Sequence, residues 1–132
     1  MSVLRSSGLP RMPGLAPFRS VLGRVVPEWR GEGIVEAGES TAVLGEGVLR
    51  LLTSLSRGSG VLLVLEDLQW ADPETMQVLE YLADNLGEQP VCCLATLRSE
   101  RWGAGIATAR ALVRRGSAVM IDLTRMSTSE VA

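Results

Sequence analysis

The sequence predicts an α/β fold built around a parallel sheet. Three observations lead there. Short, predominantly apolar runs occur at residues 61–65 (VLLVL, continuous), 91–97 (VCCLATL) and 118–123 (AVMIDL). All three read as strands, and the continuous run at 61–65 suits one buried on both faces of a sheet. Between them lie segments with apolar residues at helical spacing. A strand–helix–strand–helix–strand order brings the strands parallel through right-handed crossovers.

The elements follow in order. Residues 1–13 are rich in Ser, Arg, Gly and Pro and read as a flexible loop. Residues 15–26 place Phe18, Val21, Leu22, Val25 and Val26 at helical spacing, with Pro17 near the start and Pro27 as the stop. Residues 30–40 hold three glycines, show little pattern and read as loop. Residues 41–56 set Leu44, Val48, Leu51, Leu52 and Leu55 on one helical face, which Gly45 and Gly47 weaken. The RGSG of 57–60 is a turn before the first strand. Asp72 has the character of an N-cap, Pro73 suits the first helical position, and an apolar stripe runs from Met76 to Leu86. Gly87 stops that helix. After the second strand, residues 104–115 form a helix ending in Arg114–Arg115–Gly116. Ser127–Thr128–Ser129–Glu130 is a capping box that announces one more helix. The chain thus reads as one domain, with 1–13 flexible, 14–126 an α/β core and 127–132 the start of a helix.

Composition narrows the function classes. The chain is 46% hydrophobic and 21% charged, which suits a globular protein and not a disordered one. A net charge of −2 points to no direct nucleic-acid contact and no membrane surface. All 13 cations are arginine, and there is no histidine. That excludes a Ser–His–Asp triad, a Cys–His pair and any imidazole-bound zinc. Cys92 and Cys93 are adjacent on a strand, point to opposite faces and make a poor disulfide pair; both are expected as core thiols of a reducing compartment. No apolar run reaches the ~20 residues of a membrane span, and the N-terminus has no apolar signal region. The expected location is the cytoplasm.

The chemistry gathers after the first strand, in VLLVLEDLQWAD at 61–72. In open parallel sheets, ligands bind beyond the carboxyl ends of the strands. Glu66 and Asp67 sit there, and as neighbours their side chains diverge. One can face a metal ion while the other faces an attacking water, a division of labour that suits phosphoryl transfer. Asp72 is accounted for as a helix cap and Trp70 as a packing anchor.

LLVLEDLQWADPETMQVLEYLADNL followed by PVCCLATLRSE resembles the Walker B region of STAND/AAA-type ATPase modules. Such modules occur in LuxR-family transcriptional regulators and related multidomain bacterial signalling proteins. The resemblance covers about residues 60–100 and extends more weakly to both sides. It implies a partial P-loop NTPase-like three-layer fold and Mg-ATP as the ligand of an intact parent. It also implies roles: Glu66 on the magnesium side, Asp67 activating water, and Thr96 and Arg98 as polar sensors near the γ-phosphate. Arg98 is equally placed to pair with Glu100 at the surface.

Two departures qualify the resemblance. Gln69 stands where the family usually has histidine. More important, a chain without lysine cannot contain the phosphate loop G-x-x-x-x-G-K-[ST], whose lysine reaches the β/γ-phosphates. In the family that loop's strand lies mid-sheet, between those matching 91–97 and 118–123. The expectation is therefore an incomplete domain from a longer regulator, which alone binds no nucleotide tightly. Its partners would be the rest of a multidomain regulator in cis, or a polypeptide supplying the missing strand. The competing expectation is a non-catalytic interaction module, or remnant, with vestigial acids.

Overall fold

The computed structural model describes residues 12–30, 40–98 and 104–126. A 3-10 turn at Pro13–Phe18 leads into the short helix α1 (Arg19–Leu22), and a second 3-10 turn spans Pro27–Trp29. Then come α2 (Thr41–Leu55), β1 (Val61–Leu65), a 3-10 turn at Leu68–Trp70, α3 (Pro73–Asn85), β2 (Val91–Ala95) and α4 (Ala104–Arg114). The strands pair in parallel, from Val61 opposite Val91 to Leu65 opposite Ala95. The fold class is the predicted one: α/β, with a parallel sheet, in agreement with a partial P-loop NTPase-like fold.

One face of the sheet carries Val61, Leu63, Val91 and Cys93, which pack with Leu52 of α2 and with Leu82 and Leu86 at the end of α3. Behind α2, Leu15, Leu22, Val26 and Trp29 close over Leu51 in a further apolar layer. Burying these groups is the main favourable term in assembling the fold. The two glycines of α2 are contact points: Gly45 lies against the Tyr81 ring of α3, and Gly47 against Phe18 and Leu22. Their cost in helix propensity is therefore spent on close approach. Tyr81 Oη donates to Glu46 Oε2 at 2.7 Å across the same seam. Helix α4 is tied to α3 by Thr108 Oγ1 donating to Glu80 (3.1 Å), and just past its end Arg115 Nε and Ser117 Oγ donate to Asp84 (3.0 and 2.8 Å).

Several expectations need correction. The 118–123 run forms no strand: residues 118–126 carry no regular secondary structure, and Val119, Ile121 and Leu123 are 89%, 79% and 92% exposed. A strand persists only if its N–H and C=O groups find a neighbour, and neither β1 nor β2 pairs with this run. The strands are also covered on one face and not on both. Leu62, Val64, Cys92 and Leu94 point away from the helices and are exposed. Cys92 is thus no core thiol, while Cys93 is half-buried, and burial raises its pKa and keeps it protonated. The two thiols are free and face opposite ways, as strand geometry requires.

The helix expected over 15–26 is broken. Pro17 has no N–H to extend a ladder, so a 3-10 turn precedes α1, and the α-helical part ends at Leu22. Val21, Leu22 and Val26 are fully buried, but Val25 is not. The glycine-rich 31–39, the capping box at 127–130 and Glu100 lie outside the described residues.

Candidate functional site

The site is built where β1 and β2 end side by side. The ladder carries on past both strands: Thr96 N donates to Leu65 O at 2.9 Å, and Leu68 N donates to Thr96 O at 2.9 Å. Between these bonds the chain must turn sharply, and Asp67 takes the turn with φ 58 and ψ 44. It is the one non-glycine residue with positive φ among the described residues. That conformation costs an L-residue about 1–2 kcal/mol, less for aspartate than for most. A bond from Asp67 N to Thr96 Oγ1 at 3.1 Å helps to hold it.

The side chain of Asp67 is held as well. Gln69 Nε2 donates to Asp67 Oδ1 at 2.8 Å, and Gln69 Oε1 accepts from Arg98 N at 3.1 Å. The amide's orientation is dictated by its partners: a carboxylate only accepts and a backbone N–H only donates. The next turn throws Leu68 inward, where it is 5% exposed and packs with Met76 and Leu79. Trp70, expected as a packing anchor, is instead 68% exposed, on the outer side of that turn.

Asp72 then caps α3. Its Oδ1 accepts from Thr75 N at 2.8 Å and its Oδ2 from Thr75 Oγ1 at 3.0 Å. The backbone bond, followed by the hydroxyl bond, holds its carboxyl below the ordinary range. The cap reading is the correct one for Asp72. From the other side, α4 braces the loop: a Cβ on Gly105 would stand 2.9 Å from Leu68 O.

Glu66, Asp67, Thr96 and Arg98 are thereby brought to one end of the sheet, all exposed. Sequence reasoning named all four. It passed over Gln69, treated as a minor replacement, although Gln69 touches both Asp67 and the Arg98 backbone. The linear pattern marked position 69 only as a departure from the family's histidine, and glutamine has no spacing signature that would give it a role. A shallow hollow lined by Gly60, Val61, Pro90 and Val91 lies at the opposite, amino ends of the strands and has no part in this chemistry.

No group of three or more Cys, Asp or Glu among the described residues could cage a metal ion. Magnesium does not ask for one; it is held by one or two carboxylates, water and substrate phosphates. Glu66, exposed just past β1, has the chemistry for the carboxylate share. The phosphate share needs the loop and lysine that this chain lacks. The described residues thus offer exposed carboxylates and polar groups at one end of the sheet, and no phosphate-binding lysine.

A parallel sheet with paired acids at the carboxyl end of one strand and polar residues at the end of its neighbour is the arrangement of a partial P-loop NTPase-like α/β protein. The family is specific: the AAA ATPase domain model matches residues 5–94, well over half of the chain, and the chain belongs to that family. The search of curated proteins and the search of solved structures return no match. No helix among the described residues is long and apolar enough to cross a membrane.

Proposed function

We propose that this chain is the Walker B portion of a signalling ATPase module of the STAND type, from a LuxR-type transcriptional regulator or a related multidomain bacterial protein. In such a protein Mg-ATP binding would switch the module between states and pass the signal to an output domain. Glu66 would share the magnesium shell, Asp67 would orient the attacking water, and Thr96 and Arg98 would face the γ-phosphate. The observation that carries this reading is the register of the sheet. With Leu65 opposite Ala95, the two acids and the two polar residues follow directly on paired strands. By itself the chain is not an effective hydrolase, because positioning and charge neutralisation of the phosphates supply nearly all the catalysis. The setting is cytoplasmic, and the chain itself makes no nucleic-acid contact.

The test begins with the coding DNA. An in-phase G-x-x-x-x-G-K-[ST] upstream of Met1 is expected. The longer protein made from that frame should hydrolyse ATP, and Glu66→Gln or Asp67→Asn should abolish hydrolysis. A longer protein whose activity ignores both substitutions overturns the reading.

One observation favours a second reading. The uncovered sheet face bearing Leu62, Val64 and Leu94 suits a module that docks on another protein, its acids being vestigial. A reading frame with no phosphate loop near it supports this alternative. Micromolar Mg-ATP binding by the chain, weakened by Glu66→Gln, defeats it.

A further inference from the structure

We infer that Gln69 is a positioning residue that makes Asp67 and the Arg98 segment move as one unit. This rests on the nucleotide-site reading for its purpose, though not for its geometry. Three hydrogen bonds and one stretch of backbone close a ring. Asp67 N donates to Thr96 Oγ1, Thr96 continues through Leu97 to Arg98, Arg98 N donates to Gln69 Oε1, and Gln69 Nε2 donates to Asp67 Oδ1. Without Gln69 the carboxylate of Asp67 has only its left-handed backbone to aim it, and it is solvent-exposed. With Gln69, Oδ1 is fixed, the plane of the carboxylate is fixed with it, and Oδ2 is left to meet a water. Any displacement of the Arg98 backbone is passed to the acid through one rigid amide.

The chemistry of the link is specific. It needs a donor toward Asp67 and an acceptor toward Arg98 N. Glutamine supplies both at every pH. A neutral imidazole also has one donor and one acceptor, but imidazolium has two donors and would turn an N–H against Arg98 N. A histidine at 69 therefore keeps the link when neutral and loses its Arg98 end when protonated. The carboxylates of Asp67 and Glu66 favour imidazolium and the Arg98 cation opposes it, and the direct bond from position 69 to Asp67 makes the carboxylate the nearer charge. Alanine has neither group.

The experiment is amide hydrogen exchange of Arg98, corrected for intrinsic rates, in the whole chain without nucleotide. The wild type should keep constant protection between pH 5.5 and 8. Gln69→Ala should lose on the order of five- to tenfold at every pH, the worth of one hydrogen bond. Gln69→His should match the wild type at pH 8 and fall to the alanine level by pH 5.5. A flat Gln69→His profile, or Arg98 protection unchanged in Gln69→Ala, overturns the proposal. Misfolding of the alanine variant does not rescue it, because the histidine profile is read within one folded protein. In the longer protein, Gln69→Ala should lower kcat with KM held, and Gln69→His should recover kcat at pH 8 and lose it at pH 6. If that protein hydrolyses nothing, the nucleotide-site reading fails, while the exchange profile still decides the link.

Discussion

Gly45→Ala adds one methyl to the middle of α2, and by propensity alone it should stabilise the helix by about 1 kcal/mol. The structure reverses the sign. An ideal Cβ at position 45 stands 2.8 Å from Cγ and Cδ1 of Tyr81 and 3.1 Å from its Cβ. Ordinary contact begins near 3.4 Å, so the ring must retreat by at least about 0.6 Å. It cannot pivot freely. The clash is at the root of the side chain, and the far end is held by the bond from Tyr81 Oη to Glu46, which in turn accepts from Arg50 at 2.6 Å. Overpacking of this kind costs about 1–3 kcal/mol. Losing the tyrosine bond adds about 0.5–1.5 kcal/mol. The expected net effect is a loss of about 0.5–3.5 kcal/mol, read as a lower urea midpoint with an unchanged slope. The internal control is Tyr81→Ala. In that background the two contacts at 2.8 Å are gone and only the Cβ contact at 3.1 Å remains, so Gly45→Ala should become stabilising, by less than the full helix-propensity gain of about 1 kcal/mol. If Gly45→Ala stabilises the protein with Tyr81 in place, the packing argument is wrong.

Other outcomes follow from the same contacts. The tyrosine bond, and after it Arg50, holds the Glu46 carboxyl below its ordinary value of 4.5. A depressed folded pKa gives stability that is present above the unfolded value and lost as pH falls through the folded one. Denaturation midpoints should therefore drop below about pH 4.5, and Tyr81→Phe should remove part of that dependence. Asp72→Ala should cost about 1 kcal/mol as the loss of an N-cap, in a urea titration, while leaving the Arg98 exchange profile unchanged. Gly105→Ala should push α4 away from Leu68 O, cost about 1–3 kcal/mol as overpacking against backbone, and speed amide exchange at Asp67 and Leu68 before the rest of the chain. Unchanged exchange there would mean that α4 does not brace the site.

Much of the fold could be read from the chain alone. VLLVL and VCCLA are too short for a helix and are bounded by turn residues, and the Asp72–Pro73 start and the stripe from Met76 to Leu86 leave little choice but a helix. The acids after β1 follow from strand direction, which fixes which end of a parallel sheet meets a ligand. Apart from the 15–26 helix, which Pro17 breaks locally, what failed were statements about neighbours in space. AVMIDL has the local preference of a strand but no neighbour to bond with. The outward faces of β1 and β2 read as buried because apolar composition says what a side chain prefers and not what covers it. Gly45 and Gly47 read as weaknesses until a tyrosine and a leucine stood beside them. Gln69 was silent in the sequence because its part depends on two groups, Asp67 and Arg98 N, that only the β1–β2 pairing brings within reach. Local conformation and strand polarity were thus written into the sequence itself. Close approach, coverage and the ring of bonds around Asp67 were decided by the tertiary structure, because each depends on distances between residues that are remote along the chain.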